Sequence, residues 1–125
     1  MREARHPDGV LKPRGPYSPA VIASGRLIFT ASQGPLDPAT GKEPPGGIAA
    51  EARQALGNIR AIVEGCGGSL AKAVKVQLFL RDMNDFAAVN AVWPEFFPEP
   101  WPARTTIQSN IAYSLAVDVV VALDD

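Results

Sequence analysis

The sequence contains few of the residues that disulfides and metal sites require. Its 125 residues include one cysteine and one histidine, so an internal disulfide is excluded and no cluster of histidine and cysteine ligands can form. We therefore expect no metal, and the single thiol is typical of a protein in a reducing cytoplasm. Cys66 is predicted to be a small buried hydrophobe, because no histidine lies near it in sequence to activate the thiol.

The sequence also lacks a large excess of positive or negative charge, and it lacks a long apolar run. The formal net charge is −1 and the pI is about 5.8, which argues against a nucleic-acid partner. No apolar run approaches the ~20 residues that cross a bilayer. The charged segment Met1–Gly9 has no hydrophobic stretch behind it, unlike a signal peptide. We expect a cytoplasmic protein without a nucleic-acid or membrane partner.

What the chain does contain is enough apolar surface for one core. The hydrophobic fraction is 46%, and a chain of this length is most often one domain. We predict a single domain over residues 1–125. Within it, residues 1–14 are predicted to form an N-terminal arm. The alternative for this segment is a short edge strand around Val10-Leu11.

The predicted order of elements is strands, helix, strand, helix, strands. Apolar alternation indicates strands, an apolar stripe at helical spacing indicates helices, and clusters of proline and glycine mark loops. The first half contains extended runs at Tyr17–Ala23 and Leu27–Ala31 joined by a hairpin turn at Ser24-Gly25, a loop at Gly34–Gly47, and a helix at Ile48–Cys66 that Gly65, Gly67 and Gly68 end. The second half contains a strand at Ala73–Arg81, a helix that starts near Asp85 with Asp82 or Asn84 as N-cap, two closing strands near Arg104 and Val117, and a solvated end at Asp124-Asp125.

The second helix carries an apolar stripe at helical spacing, which predicts core packing first of all. Its members are Phe86, Val89, Trp93 and Phe96. Pro94 removes a backbone donor and is expected to kink or shorten the last turns. Asn90 is expected to hydrogen-bond a neighbouring loop rather than to take part in catalysis.

This element order predicts an α+β domain with a mixed sheet of about six strands. Two helices can cover only one face of such a sheet. The second face must meet something else, and self-association is the simplest solution. The patterns alone leave the number of subunits open.

The last two strands each present one charge in an apolar setting. Strand alternation puts Arg104, Thr106 and Gln108 on one face, and Asp118 interrupts the apolar run Val117–Val121. A planar guanidinium and a carboxylate, each presented by a strand, suit a pocket for a small carboxylic acid. The other interpretation is a structural ion pair between the two side chains, or two charges that face water.

Several short motifs follow one another in a specific order and spacing between about Gly15 and Ala122. On these motifs the sequence resembles the reactive intermediate deaminase family (RidA/YjgF, also called the L-PSP endoribonuclease-like family). The matching pieces are Gly15-Pro16-Tyr17-Ser18, the Leu27–Gln33 strand with Gly34-Pro35, Ala52-Arg53-Gln54-Ala55-Leu56 with Asn58-Ile59, the run Arg81–Phe86 leading into Val89-Asn90, and Pro102-Ala103-Arg104-Thr105.

The resemblance implies a chorismate-mutase-like fold assembled as a homotrimer, with clefts between subunits. Arg104, which follows the Pro-Ala pair, would hold the carboxylate of a 2-imino acid or its enamine tautomer. Thr106 would lend main-chain contacts, and Tyr17 would line the cleft from a neighbouring subunit. Asp118 matches the acidic residue that orients or activates water. Phe86 is a candidate for the apolar cleft wall, although core packing is the competing interpretation.

Two departures from the family pattern lie near the expected cleft. The family acid is commonly glutamate, and Asp118 is shorter by one carbon–carbon bond, about 1.5 Å. The family's Thr-Ser-Gly-Gln is Thr30-Ala31-Ser32-Gln33 here, so a serine is replaced by Ala31 and a glycine by Ser32. Both changes can alter substrate choice.

The leading functional hypothesis is therefore an imine or enamine deaminase that releases a 2-keto acid and ammonia. Such hydrolysis requires neither a metal nor an organic cofactor. The alternative is a trimeric module that binds a small carboxylate, such as a keto acid, without turnover. A ribonuclease or translation inhibitor, suggested by the family's older name, is disfavoured by the acidic pI and by the absence of a histidine pair.

Overall fold

The computed structural model describes residues 1–123, and the predicted solvated end at Asp124-Asp125 lies outside this range. It contains six β-strands and two α-helices, which confirms the α+β class. The strands are β1 (Arg2–Arg5), β2 (Ala20–Ala23), β3 (Arg26–Phe29), β4 (Ala73–Leu80), β5 (Ala103–Gln108) and β6 (Leu115–Leu123), and the helices are α1 (Ile48–Gly65) and α2 (Phe86–Val92). None of the helices within the described range combines the length and the apolarity needed to cross a membrane.

The six strands are divided between two sheets rather than joined in one. Strands β3, β6, β4 and β5 form a four-stranded sheet in that order, while β1 and β2 form a separate pair. In the larger sheet only β4 and β5 run parallel, and the other neighbours are antiparallel. The larger sheet is therefore mixed, as predicted, with the parallel pair at one edge.

The predicted hairpin at Ser24-Gly25 is wrong. Strand β2 pairs with β1, and β3 pairs with β6 at the far end of the chain. Gly25 has a φ of 92°, a left-handed conformation that lets the chain turn from one sheet to the other. Two short apolar runs around a turn suit a hairpin locally, but the choice of partner strand depends on distant segments.

The predicted edge strand around Val10-Leu11 is also wrong. The strand of the arm is β1, at Arg2–Arg5, and the side chain of Leu11 is 87% exposed. Arg2 holds the arm in place, because its guanidinium donates hydrogen bonds to the carbonyl oxygens of Ala73 and Pro100. These contacts join residues far apart in sequence, so the periodicity of the sequence could not predict them.

Both helices pack on one face of the four-stranded sheet, as predicted. Apolar side chains of β4 and β6 point toward them and are fully or almost fully buried, namely Val76, Leu78, Leu80, Leu115, Val117, Val119 and Val121. Helix α1 packs against β6 and against α2. Within residues 1–123 no helix covers the opposite face, where alternation directs Asp118 and Val120.

The ends of both helices follow local chemistry. Helix α1 ends at Gly65, and Gly67 takes the left-handed φ of 87° that a helix C-terminus favours. The side chain of Asp82 accepts a hydrogen bond from the amide of Asn84 and caps the 3₁₀ turn that leads into α2. Helix α2 ends at Val92, directly before the 3₁₀ turn that contains Pro94. The predicted ends of both helices are confirmed. The predicted N-cap differs, because Asp82 caps the 3₁₀ turn while the N-cap of α2 itself is Asp85.

Cys66 corrects another prediction. The thiol is exposed rather than buried, because the residue forms the C-cap of α1 and lies outside its apolar stripe. The assignment as a small core residue is therefore wrong.

The predicted loop between β3 and α1 is held in place by a single amide. Asn58 Nδ2 donates to the carbonyl oxygens of Gly34 at 3.1 Å and Leu36 at 2.8 Å. Asn58 Oδ1 in turn accepts from Gln54 Nε2 at 3.0 Å. One helical side chain therefore fixes the start of the loop against α1.

Replacement of Asn58 by alanine leaves two partly buried carbonyl groups without their donors. We expect Asn58→Ala to lower the free energy of unfolding by about 1–3 kcal/mol, measured by urea denaturation at fixed protein concentration. Asn110→Ala is the control, because Asn110 is exposed and such changes usually stay within about 0.5 kcal/mol. Equal losses for the two variants would contradict this role of Asn58.

Candidate active site at Arg104

The parallel pairing of β4 and β5 decides where Arg104 points. Arg104 lies opposite Val76, whose side chain is in the core, and paired residues of neighbouring strands share a face. The arginine therefore projects toward the helices, and only 9% of its surface is exposed. This position excludes the interpretation in which it faces water.

Three aromatic rings surround the guanidinium of Arg104. Its Cζ lies 4.7 Å from the ring centroid of Trp93, 5.2 Å from that of Tyr17 and 5.3 Å from that of Phe86. Such contacts stabilise a cation by about 0.5–2 kcal/mol each. They supply no hydrogen-bond acceptors in the plane of the guanidinium.

All three nitrogens of this guanidinium are buried and have no hydrogen-bond partner among the described residues. Burial lowers the pKa of Arg104 to about 10, and the nearby Tyr17 opposes this shift. A desolvated cation without a partner anion is unfavourable. The arrangement would be satisfied by a ligand that brings a carboxylate, because the guanidinium fork can donate two parallel hydrogen bonds to it.

Gly15 and Asn90 close the site from the side of the arm. A Cβ at Gly15 would lie 3.2 Å from Arg104 Nη2 and 3.2 Å from Asn90 Nδ2, so only glycine lets the chain approach this closely without displacing a neighbour. Asn90 Oδ1 and Trp93 Nε1 are also buried without a partner. A second polar group and an indole N–H therefore lie unpaired around the same cation.

The structure brings together most of the predicted site residues but separates one of them. Tyr17 and Phe86 contact Arg104, and Thr106 lies on the same face of β5, opposite Leu78. Asp118 lies opposite Gln77 on the other face of the sheet. The alternative interpretation of an ion pair between Arg104 and Asp118 within one chain is therefore excluded, because the sheet separates the two side chains.

Tyr17 contacts the arginine of its own chain, because its ring covers that guanidinium. Its expected place in a cleft between subunits stays a prediction. The amide of Ser18 donates to the carbonyl of Pro102 at 3.0 Å and fixes the next residue beside β5. The Gly15–Tyr17 segment is thus the cover of the site within one chain.

Asp118 has its own polar surroundings on the helix-free face. Ser32 Oγ donates a hydrogen bond to Asp118 Oδ2 at 3.0 Å. On the same face Lys75 Nζ donates to Thr105 Oγ1 at 2.8 Å. The lysine is therefore engaged with a hydroxyl two strands away from Asp118.

Similarity to known proteins covers almost the whole chain. The family model described as Endoribonuclease L-PSP matches residues 9–122. The chain belongs to the endoribonuclease L-PSP (RidA/YjgF) family. A RutC family protein of Pyrococcus horikoshii is 42% identical over 124 residues, which cover 99% of this chain and 95% of that protein.

Two further similar proteins carry a named activity or a bound ligand. The 2-iminobutanoate/2-iminopropanoate deaminase of Capra hircus is 44% identical over 94 residues, covering 75% of this chain and 68% of that protein. The crystal structure of Escherichia coli TdcF with bound serine is 30% identical, with a TM-score of 0.75, and covers 93% of this chain and 92% of that one. The predicted family and fold are confirmed.

Two neighbours of Arg104 in this L-PSP family member were not among the predicted site residues. Trp93 was assigned to core packing and Asn90 to a loop contact. Phe86, Asn90 and Trp93 are spaced four and three residues apart, which places them on one face of a helical segment. Because an asparagine interrupts an otherwise apolar face, this spacing was the available signal for a site.

A separate groove lies away from the arginine. Its volume is about 350 Å³, and its lining includes none of the predicted site residues. The groove is bounded by the start of the loop, by α1 and by one tyrosine, with Gln33, Gly34, Leu36, Pro38, Asn58, Ala61, Ile62 and Tyr113 as lining residues.

Replacement of Arg104 by a side chain of similar length without charge removes the unpaired cation. We expect Arg104→Met to raise the free energy of unfolding of the ligand-free protein by about 1–3 kcal/mol, measured by urea denaturation. Arg60→Met is the matched control, because Arg60 also lies over an aromatic ring, 4.8 Å from Phe96, but is exposed. Its change is expected to stay within about 0.5 kcal/mol.

The pH dependence of this difference provides an independent check. Burial lowers the pKa of Arg104 from its ordinary value to about 10, so between these two values the unfolded chain binds a proton that the folded chain has lost. Raising the pH through this range therefore favours the folded wild type. The advantage of Arg104→Met is full below about pH 10 and shrinks above it. A destabilised methionine variant at neutral pH would contradict the cost assigned to the cation.

Proposed function

We propose that this protein is a 2-imino acid or enamine deaminase that hydrolyses reactive imines to 2-keto acids and ammonia in the cytoplasm. The observation that carries the proposal is the guanidinium of Arg104, buried under three aromatic rings with all its nitrogens unpaired. An α-carboxylate is the common feature of imino acids and keto acids. Its two oxygens match the donor geometry of the fork.

The surroundings of the cation favour a small and partly apolar substrate. Tyr17, Phe86 and Trp93 leave ring faces rather than charges around the carboxylate site. Asn90 Oδ1 is an unpaired acceptor close by, suited to an N–H group on the substrate. A short imine or enamine fits these walls better than a second carboxylate would.

Assembly of several subunits would complete the site. We propose a homotrimer in which the helix-free faces meet, because this face exposes Leu27, Phe29 and Ile107, with Phe29 72% exposed. Burial of such apolar surface yields roughly 25 cal/mol per Å². Asp118 lies on the same face, and Arg104 lies on the edge strand β5, so Asp118 would serve an Arg104 that a neighbouring subunit presents at this edge rather than that of its own chain.

The chemistry follows from these two groups. Arg104 would hold the carboxylate of the imine and fix the orientation of its C=N bond. The carboxylate of Asp118 would accept a proton from water as the oxygen adds to the imine carbon, a contribution typically of about 10²–10⁴-fold. The protonated Asp118 returns this proton to the nitrogen, which gives a carbinolamine. The second proton passes from the carbinolamine hydroxyl to the nitrogen as the C–N bond breaks, so ammonia leaves and the carbonyl of the 2-keto acid forms. The net reaction consumes one water, and no cofactor takes part.

Access to Arg104 requires movement of its cover. The guanidinium is closed to solvent by Gly15 and Tyr17, whereas the preceding residues Asp8–Lys12 are exposed. We infer that the Gly15–Tyr17 segment lifts to admit the substrate while Ser18 stays bound to Pro102. The closed form excludes water from the cation until a carboxylate takes its place.

Binding without turnover is the second candidate. Arg104 supports the capture of any small carboxylate, and the relative TdcF was solved with bound serine, an amino acid. The similarity to the deaminase of Capra hircus supports the catalytic hypothesis over binding without turnover. The word endoribonuclease in the family description finds little support in this chain, which has a single histidine and an acidic pI of about 5.8.

The deciding experiment generates 2-iminopropionate or 2-iminobutyrate in situ and follows its decay. Wild type is expected to accelerate hydrolysis, and Arg104→Ala to lower kcat/KM by about 10²-fold, since the carboxylate loses a charged partner. Arg60→Ala is the matched control and keeps the wild-type rate. Equal rates for wild type and Arg104→Ala would end the proposal. Saturable binding of a keto acid without hydrolysis would favour the second candidate.

The trimer proposal has its own test. A charge on the exposed apolar face, as in Phe29→Glu, is expected to dissociate the trimer, because burying an unpaired carboxylate is unfavourable. Analytical ultracentrifugation reports the mass of each species. Leu11→Glu is the control, since Leu11 is 87% exposed in the arm, and it should leave the mass unchanged. An unaltered mass for Phe29→Glu would show that the subunits meet elsewhere or not at all.

A further inference from the structure

The two departures from the family pattern contact each other. Ser32 stands where the family commonly has glycine, and Asp118 stands where it commonly has glutamate. Although 86 residues separate them in sequence, Ser32 Oγ donates a hydrogen bond to Asp118 Oδ2 at 3.0 Å. We propose that Ser32 is a positioning residue that holds the shorter carboxylate where it can accept a proton from the attacking water. This inference rests on the deaminase function proposed above.

The backbone around Ser32 explains why its side chain reaches Asp118. Thr30 lies opposite Val119, since the amide of Thr30 donates to the carbonyl of Val119 at 3.0 Å. Gln33 lies opposite Val117, with reciprocal amide–carbonyl bonds of 2.8 and 3.0 Å. Two residues, Ala31 and Ser32, therefore oppose the single Asp118. This arrangement is a β-bulge.

A β-bulge redirects one side chain relative to regular strand alternation, and bulges are frequent beside active sites. In a regular ladder Ser32 would lie opposite Val117, and Ala31 would lie opposite Asp118. The extra residue instead places the hydroxyl of Ser32 at the carboxylate. Thr30 Oγ1 accepts a hydrogen bond from the amide of Val119 at 3.0 Å and secures the start of the bulge.

The hydrogen bond from Ser32 engages only one of the two carboxylate oxygens of Asp118. Oδ2 accepts from Ser32, while Oδ1 accepts from no side chain among residues 1–123. A carboxylate held at one oxygen keeps the other available to water, and its orientation no longer depends on free rotation. Glutamate is about 1.5 Å longer, so it would bring its carboxylate into the space that the hydroxyl of Ser32 occupies.

This geometry predicts that the two residues depend on each other. Glycine at position 32 with glutamate at 118 restores the common family pair, whereas either change alone leaves a mismatched pair. A short carboxylate without a hydroxyl is loosely held, and a long carboxylate beside a hydroxyl is crowded. The effects of the two substitutions on kcat are therefore coupled. KM should change little, because it depends on the contact between Arg104 and the substrate carboxylate.

The experiment is a double-mutant cycle on imine hydrolysis with Ser32→Gly, Asp118→Glu and the double variant. Each single change is expected to lower kcat about tenfold with KM within about twofold, and the double variant to return to within about threefold of wild type. Ser32→Ala should behave like Ser32→Gly, which separates loss of the hydroxyl from added backbone freedom. Ser32→Thr keeps the hydroxyl and should retain the wild-type kcat.

The outcomes separate this inference from the proposed function. A wild type that hydrolyses no imine overturns both. An active wild type whose two single substitutions multiply in the double variant overturns the role of Ser32 alone, as does an unchanged kcat in Ser32→Ala. Circular dichroism and sedimentation of each variant establish that fold and assembly are intact. Recovery of kcat in the double variant, with KM constant throughout, supports the positioning role.

Discussion

The burial of the Arg104 guanidinium, which has no hydrogen-bond partner among residues 1–123, is the constraint on which the candidate site depends. The parallel pairing of β5 with β4 points Arg104 toward the helices, where aromatic rings meet it instead of a carboxylate. The core supplied by α1, β4 and β6 must offset this cost. In return, no internal ion pair has to break before an anion binds, so the donors are preorganised for a carboxylate.

The two faces of the four-stranded sheet carry different parts of the proposed chemistry. The helix face holds Arg104 and its aromatic neighbours, and the opposite face holds Asp118 with Ser32 at the bulge. A single chain is therefore incomplete for the proposed hydrolysis. Exposed apolar residues such as Phe29 lie on the face that also carries the acid, so the same contact between subunits would bury this surface and complete the site.

The accuracy of the sequence-based predictions depends on how local the controlling interactions are. The end of α1 at its glycines and the end of α2 before Pro94 follow from neighbours within a few residues, and both predictions are confirmed. The hairpin at Ser24-Gly25 and the strand at Val10-Leu11 required knowledge of partner strands far away in the chain, and both predictions are wrong. Cys66 was assigned from its residue type, whereas its exposure follows from its place at the helix end.

The sequence by itself determined the α+β class, the apolar stripes of both helices and the family, and it singled out Arg104 as the central residue of the candidate site. Periodicity and residue chemistry act over a few residues, so they can be read without a fold. Only the tertiary structure decided that Arg104 and Asp118 lie on opposite faces, that Tyr17 covers the arginine of its own chain, and that Ser32 reaches Asp118. Strand register and bulges decide these contacts, and they depend on pairing between residues that are distant in sequence.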